Sequence, residues 1–556
     1  MQPITDQGRD ASLMRPRAPR SSDLSAVLGT VLAELGLPPR AAGPTDGGLP
    51  CVTGITLDSR AVKPGDVYAA LPGAERHGAD FAGQAVNAGA VAVITDEAGA
   101  ARLAAASSPT AHVPVVVVPD PRRALGPLAR EIFGSRSHAA PTLFGVTGTN
   151  GKTTTTYFLD ALLASLEVST GLIGTIEIRA GREAIPSRLT TPESPQVHSL
   201  LALMRERGLG AASMEVSSHA LEFGRVDGVR FDVAGFTNLT QDHLDLHGSM
   251  EEYFAVKAAL FTPERCRTAV VLVDDVWGER LAATADVPVL TLLSGPRASV
   301  PPGRQVRANH SEPDWSVVEV EASGLGHSFV LQSRSGERLR VRTGLPGVFN
   351  VSNAALATLM VLASGVSAER LQQALDAHDP FTTEVPGRMQ LIGEAPAAIV
   401  DFAHNPDALE RTLASVRRPE GRVISVFGAT GQRDASKRPV MGAVGARLSD
   451  ILIVTDDDPH DEDEATIRAA VRSGAEAAVR EESLTCEVLE VYPRAEAIER
   501  AVALAGPADT VVVAGRGHEV WQEVKGVNLA LDDREELRAA LTRHGFSVLS
   551  ATGIES

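Results

Sequence analysis

Cysteine is almost missing from this chain. Cys51, Cys266 and Cys486 are the only three in 556 residues, and they form no C-x-x-C pair, which excludes a disulfide framework and a thiolate zinc site. Such sparse thiols suit a reducing cytosol, so a cytoplasmic protein is expected. Basic residues are outnumbered as well. The formal net charge of −18 argues against nucleic-acid partners, because phosphate backbones are bound by clustered Lys and Arg that release counterions. Long apolar runs do not occur. The densest, VPVVVVP at 113–119, falls short of the roughly 18 residues a membrane span requires, and no membrane partner is expected. Arg15, Arg17 and Arg20 precede no apolar stretch, so residues 1–22 read as a loose tail and not as a signal peptide.

What is present is soluble α/β material. Apolar residues make up 44%, charged residues 22% and aromatic residues a modest 4%, which excludes a fibrous or disordered chain. The length exceeds the roughly 250–300 residues at which one core stops growing, so several domains are expected. The first, residues 1–138, carries GITLDSRAVKPGDVYAALPG (54–73) and AVNAGAVAVITDE (85–97), and GSRSHAAPT (134–142) reads as the linker after it. The second, residues 139–384, contains AASMEVSS (211–218) and FDVAGFTNLT (231–240). Apolar runs ending in polar residues are typical of buried parallel strands, whose carboxyl ends collect ligands. TTEVPGRMQ (382–390) reads as a hinge into the third domain, residues 385–556. There AAIVDFAHNP, RVISVFGATG, DILIVTDDDP and TVVVAGRGHE each run from an apolar strand into a loop rich in Gly, Asp or His, the pattern of a doubly wound sheet.

FGVTGTNGKTTTTYFLDALL (144–163) has the order strand, glycine-rich turn, helix. Gly148 and Gly151 let the backbone approach oxygen atoms, the helix N-terminus aims unpaired N–H groups at an anion, Lys152 adds a cation, and Thr153 stands where a P-loop hydroxyl meets a metal. A tight strand–helix turn with a surface lysine is the plainer alternative. In the common P-loop spacing a further glycine would stand at Val146. Lys257 is the other informative position, lying inside an apolar stripe of Met250, Tyr253, Phe254, Leu260 and Phe261 at helical spacing. Burial there would lower its pKa, although lysine stems commonly snorkel to solvent.

TGTNGKTTT resembles the ATP loop of the Mur ligase and folylpolyglutamate synthetase superfamily. MEVSSHAL (214–221), FTNLTQDHLDLHG (236–248), YFAVKAALF (253–261), NVSN (350–353), PGRMQ (386–390), DFAHNPDAL (401–409), FGATGQRDASKRPVMG (427–442), TDDDPH (455–460) and AGRGHE (514–519) resemble, in order, the motifs of Mur ligases that form a UDP-muramoyl tripeptide. LDSRAVKPGDVYAALPG resembles their uridine-binding segment. The resemblance covers about residues 50–540 and implies three α/β domains: an N-terminal uridine-binding domain, a central P-loop ATPase-like domain with a mostly parallel sheet, and a C-terminal Rossmann-like, amino-acid-binding domain.

It implies an ATP- and magnesium-dependent ligase that joins UDP-N-acetylmuramoyl-L-alanyl-D-glutamate to a diamino acid through an acyl phosphate. ATP would be held by Gly148, Thr149, Asn150, Gly151, Lys152, Thr153 and Thr154 with Asn238, Asn350, Arg388, Asp401 and His404. Magnesium would be held by Thr153, Glu215, His243 and Lys257 as a carbamate, with Lys152, Lys257 and His243 catalytic. Ser59, Thr190, Thr191, Ser217 and Arg225 would contact the nucleotide-sugar peptide; Phe223 departs from a glutamine often found in the family. Cap or turn roles are the commoner fate of such Asn and Ser residues. Arg433, Asp458, His460, Gly515 and Glu519 would hold the incoming amino acid.

Members of the family that add meso-diaminopimelate carry Asp-Asn-Pro-Arg where this chain has Asp457-Asp458-Pro459-His460. Losing the guanidinium fork and gaining an anion disfavours a distal carboxylate, so L-lysine is expected, then L-ornithine, with meso-diaminopimelate the alternative if a protonated His460 replaces the Arg. A monomer is expected. The rivals are a folylpolyglutamate-type ligase, a paralogue acting on another acceptor, and a non-catalytic Mur-like partner subunit.

Overall fold

The computed structural model describes residues 14–37, 40–42, 48–73, 75–105, 112–135, 141–295 and 312–549. Most of the expected linker, residues 136–140, lies outside them. Three large sheets organise the chain. The first has five strands, ordered Arg40–Ala42, Val115–Val117, Ala92–Thr95, Asp66–Ala70 and Gly54–Thr56, parallel except for the first pair.

The central sheet has eleven strands. Its middle is parallel, with Thr142–Thr147 lying between Ala211–Glu215 and Phe231–Phe236, and it turns antiparallel at both ends. Strands in this middle bury both faces. Val270 and Leu272 join the core beneath helices Lys152–Ser165 and Phe349–Ala363, while Ala269 and Val271 join the core on the opposite side with helix Ser194–Glu206. That two-sided burial explains why the strands read as unbroken apolar runs.

The third sheet has six strands, ordered Gln390–Glu394, Ala397–Asp401, Thr510–Ala514, Val423–Phe427, Ile451–Val454 and Glu487–Glu490, parallel after the first pair. This is a doubly wound α/β layer, as expected.

The N-terminal segment departs from expectation. Residues 14–22 are not a loose tail. Met14 is 3% exposed and belongs to the core of the central sheet, Arg15 pairs with buried Asp66 at 2.7 Å, and the Arg17 N–H donates to Glu206 at 2.9 Å. Met14 and Arg15 thus fasten the first sheet to the central one, while Arg17 and Arg20 are exposed.

Candidate active site

Three adjacent strands end at one place. Thr142–Thr147 delivers the glycine turn, Ala211–Glu215 ends on Glu215, and Phe231–Phe236 leads into Thr237 and Asn238. The turn requires its glycines: Gly148 has φ +144° and Gly151 φ +91°, and a Cβ on them would collide with Thr237 Oγ1 and Asn353 Oδ1. Helix Lys152–Ser165 starts with no side-chain cap, which leaves the first N–H groups of Lys152, Thr153 and Thr154 for an anion. Asn238 braces the loop, accepting from the Asn150 N–H at 3.1 Å and donating to its carbonyl at 3.1 Å.

Two lysines converge on one carbonyl. Lys152 Nζ donates to Gly148 O at 3.0 Å and to Thr149 O at 2.8 Å, and Lys257 Nζ donates to Gly148 O at 2.9 Å. Lys257 sits on helix Met250–Ala258, is 1% exposed and lies 4.8 Å from the Tyr253 ring. It does not snorkel. Burial, with the Lys152 charge beside it, holds its pKa well below the usual lysine value. A buried ammonium with no acid partner costs on the order of several kcal/mol, so the neutral amine is favoured. Burial lowers Lys152 as well.

Thr153 Oγ1 donates to Glu215 Oε2 at 2.9 Å. Glu215, 1% exposed, also accepts from the Thr175 N–H at 2.7 Å and from Thr175 Oγ1 at 3.0 Å. A hydroxyl and a carboxylate oxygen side by side suit magnesium, which takes few protein ligands and keeps water and phosphate oxygens. His243 has φ +53°, and burial lowers its pKa to about 4 despite Asp242, leaving the neutral ring that ligation needs. Among the described residues the one group of three acids or histidines close enough for a single ion is Asp457, Asp458 and Glu519.

The C-terminal domain reaches this centre. Arg388 Nη2 donates to Thr153 Oγ1 at 3.1 Å, and its guanidinium lies 4.2 Å over the Phe402 ring. His404 Nε2 stands 3.7 Å from Asp242, which lies 3.8 Å from His243. Burial would raise Asp242, but His404, His243 and Lys437 together bring it down to about 2.

Two expected nucleotide contacts also have protein partners. Asn350 is 1% exposed, donates to Pro346 O at 2.7 Å and accepts from Asn353 at 3.0 Å, so it backs Gly151 through Asn353 and keeps one further N–H. Asp401 accepts from the Met389 N–H and from Thr412 Oγ1, each at 2.8 Å. It pins the PGRMQ turn, and burial raises its pKa.

On the sugar-peptide side, Thr190 accepts from Thr175 Oγ1 at 3.1 Å, Thr191 donates to the Glu215 carbonyl at 2.7 Å, and Arg225 is held by Glu193 at 3.1 Å. These residues cluster beside Glu215. Ser217 caps the short helix Ser218–Glu222, the plainer role for such a serine. Ser59 lies on the first sheet's side and donates to Gln84 at 3.2 Å.

In the third domain, Arg516 is fully buried and bonds Asp458 and the Trp521 carbonyl, with Asp457 at 3.5 Å and Glu519 at 3.7 Å. The extra anion at 458 is thus matched internally, which sequence spacing does not reveal. His460 is likewise engaged, 2.9 Å from Glu523. Burial, with Asp457 and Asp458 nearby, pushes Glu519 up to about 8 against the pull of Arg516. Gly515 has φ +113°, and Asp457 fills the space where its Cβ would stand. Arg433 is exposed on the facing loop.

A phosphate cradle beside a carboxylate–hydroxyl pair, in a chain of three α/β domains, is the arrangement of an ATP-dependent ligase. The chain belongs to the Mur ligase family. Family models match at residues 51–132 (Mur ligase family, catalytic domain), 146–361 (Mur ligase middle domain) and 387–517 (Mur ligase, glutamate ligase domain). The chain is 45% identical to the UDP-N-acetylmuramoyl-L-alanyl-D-glutamate--2,6-diaminopimelate ligase of Streptomyces coelicolor, over 95% of this chain and 99% of that one. It is 44% identical to the UDP-N-acetylmuramyl-tripeptide synthetase of Leifsonia xyli subsp. xyli, over 97% and 99%. A solved UDP-N-acetylmuramoyl-L-alanyl-D-glutamate--2,6-diaminopimelate ligase superposes with a TM-score of 0.58 at 30% identity, over 90% of this chain and 96% of that one. The MurF ligase of Thermotoga maritima, solved with ADP, shares the fold at 18% identity and a TM-score of 0.58, over 88% of this chain and 98% of that one. No helix among the described residues is long and apolar enough to cross a membrane.

Proposed function

We propose that this Mur ligase extends UDP-N-acetylmuramoyl-L-alanyl-D-glutamate by one diamino acid, driven by ATP. The observation that carries the reading is the meeting of Lys152, Lys257, the Thr153–Glu215 pair and Arg388 around one glycine turn. The turn and Lys152 orient the γ-phosphoryl group, which passes to the D-glutamyl carboxylate; the amine then displaces phosphate from the acyl phosphate and an amide forms. Thr153 with Glu215, and His243 with Lys257 as a carbamate, would hold magnesium, which when bound would supply positive charge to the phosphate oxygens. Thr191 and Arg225 sit where the acceptor peptide would approach Glu215. A cytoplasmic site of action and a monomeric state belong to the same proposal.

For the amine we favour L-lysine, then L-ornithine. His460 is engaged by Glu523 and Arg516 by Asp458, so the loop's cations are already matched, while Asp457 and the side-chain carbonyl oxygen of Glu519, whose carboxyl pKa is raised to about 8, are acceptors for an ammonium. The second reading is meso-diaminopimelate, favoured by the name of the Streptomyces coelicolor relative. Equal lysine, ornithine and meso-diaminopimelate, supplied together with the muramoyl dipeptide, ATP and magnesium, are expected to yield mainly the lysine tripeptide. A product dominated by diaminopimelate would overturn the loop argument and leave the ligase reading standing.

A further inference from the structure

Asn150 is at the tip of the phosphate loop, yet its polar groups all face protein. Its N–H donates to Asn238, and its carbonyl accepts from Thr237 at 2.7 Å. Its side chain reaches the other domain: Nδ2 donates to Asp407 Oδ2 at 2.9 Å, besides a longer contact to Thr240 Oγ1 at 3.4 Å, and Oδ1 accepts from Asn405 Nδ2 at 3.3 Å. Asn405 is fully buried, also donates to Asp242 at 3.2 Å, and caps helix Pro406–Ser415 by accepting from the Ala408 N–H at 2.9 Å. The other Asp407 oxygen is fixed by Arg411 at 3.0 Å. One rigid helix start therefore grips the tip of the loop at two points, one of them a charge-assisted hydrogen bond.

We propose that Asn405 and Asp407 are positioning residues that latch the C-terminal domain onto the phosphate loop and so keep the activated acid from water until the amine arrives. The proposal rests on the acyl-phosphate reading above. Attack by the amine gives amide and phosphate; attack by water on the same acyl phosphate returns the carboxylate and also gives phosphate. Both routes release phosphate, and only one makes a bond. A domain held shut through Asn150 excludes the second route.

Phosphate and amide are counted together in the full-length protein, with ATP, magnesium, the muramoyl dipeptide and whichever diamino acid the wild type uses. The wild type is expected to release one phosphate per amide, and Asp407→Ala about threefold more. The double variant Asn150→Ala/Asp407→Ala should be no leakier than the worse single variant, because Asn150→Ala already removes the contact that Asp407→Ala removes. A ratio unchanged in Asp407→Ala, or single effects that multiply, would overturn the latch. A merely destabilised variant lowers both products in proportion and also counts against it. Should Asp407→Ala fail to fold, the ratio is read on Asp407→Asn, which keeps the size and loses the charge. A wild type that makes no amide defeats the ligase reading itself, which is seen before any variant is made.

Discussion

His198 shows how a single buried group ties stability to pH. It is fully enclosed, with Nδ1 2.7 Å from Ser135 Oγ and Nε2 2.9 Å from the Asp227 carbonyl, and burial lowers its pKa from 6.5 to about 4. The unfolded chain thus binds more protons than the folded one between those two values, so stability is full above about pH 6.5 and declines as pH falls toward 4. The linkage amounts to about 3 kcal/mol at its limit. Urea midpoints measured between pH 7 and 4.5 are expected to fall for the wild type and to fall less for His198→Gln. Equal slopes would show that other groups carry the acid sensitivity. Lys257 has the same direction of shift, since enclosure disfavours its charged form, and the carbamate we propose would draw on that.

Among the elements, the glycine turn is the least tolerant. Gly148→Ala puts a side chain at φ +144° and against Thr237. Backbone strain of about 1–3 kcal/mol corresponds to a loss of roughly 10–100-fold in kcat/KM for ATP, with little change in the melting temperature. Steady-state kinetics at varied ATP tests this, and a near-normal kcat/KM would show that the turn is not where phosphate is held. This element was legible in the sequence because strand, turn and helix are contiguous; the helical spacing put Lys257 in an apolar stripe but favoured a snorkelling stem, and only the family resemblance pointed to the burial that is found. Asn405, Asp407 and Arg516 were not legible: Asp407 meets Asn150 across 257 residues, and Arg516 shows its role only once Asp457, Asp458 and Glu519 surround it. The anchoring of Met14 and Arg15 was not legible for a related reason, since local composition cannot say whether a side chain finds its partner inside the protein.

At the scale of the whole molecule, three sheets have to bring three reactants together. Met14 and Arg15 fasten the first domain to the second, and Arg388, Asn405 and Asp407 close the third over the phosphate loop. The division of labour follows from the chemistry: an acyl phosphate survives only in a site that is assembled and dry before it forms. An isotope measurement tests that claim most directly. With oxygen-18 in the D-glutamyl carboxylate of the muramoyl dipeptide, mass spectrometry of the phosphate released during turnover should find one labelled oxygen for each amide formed. Unlabelled phosphate accompanying amide formation would contradict transfer of the phosphoryl group to the carboxylate.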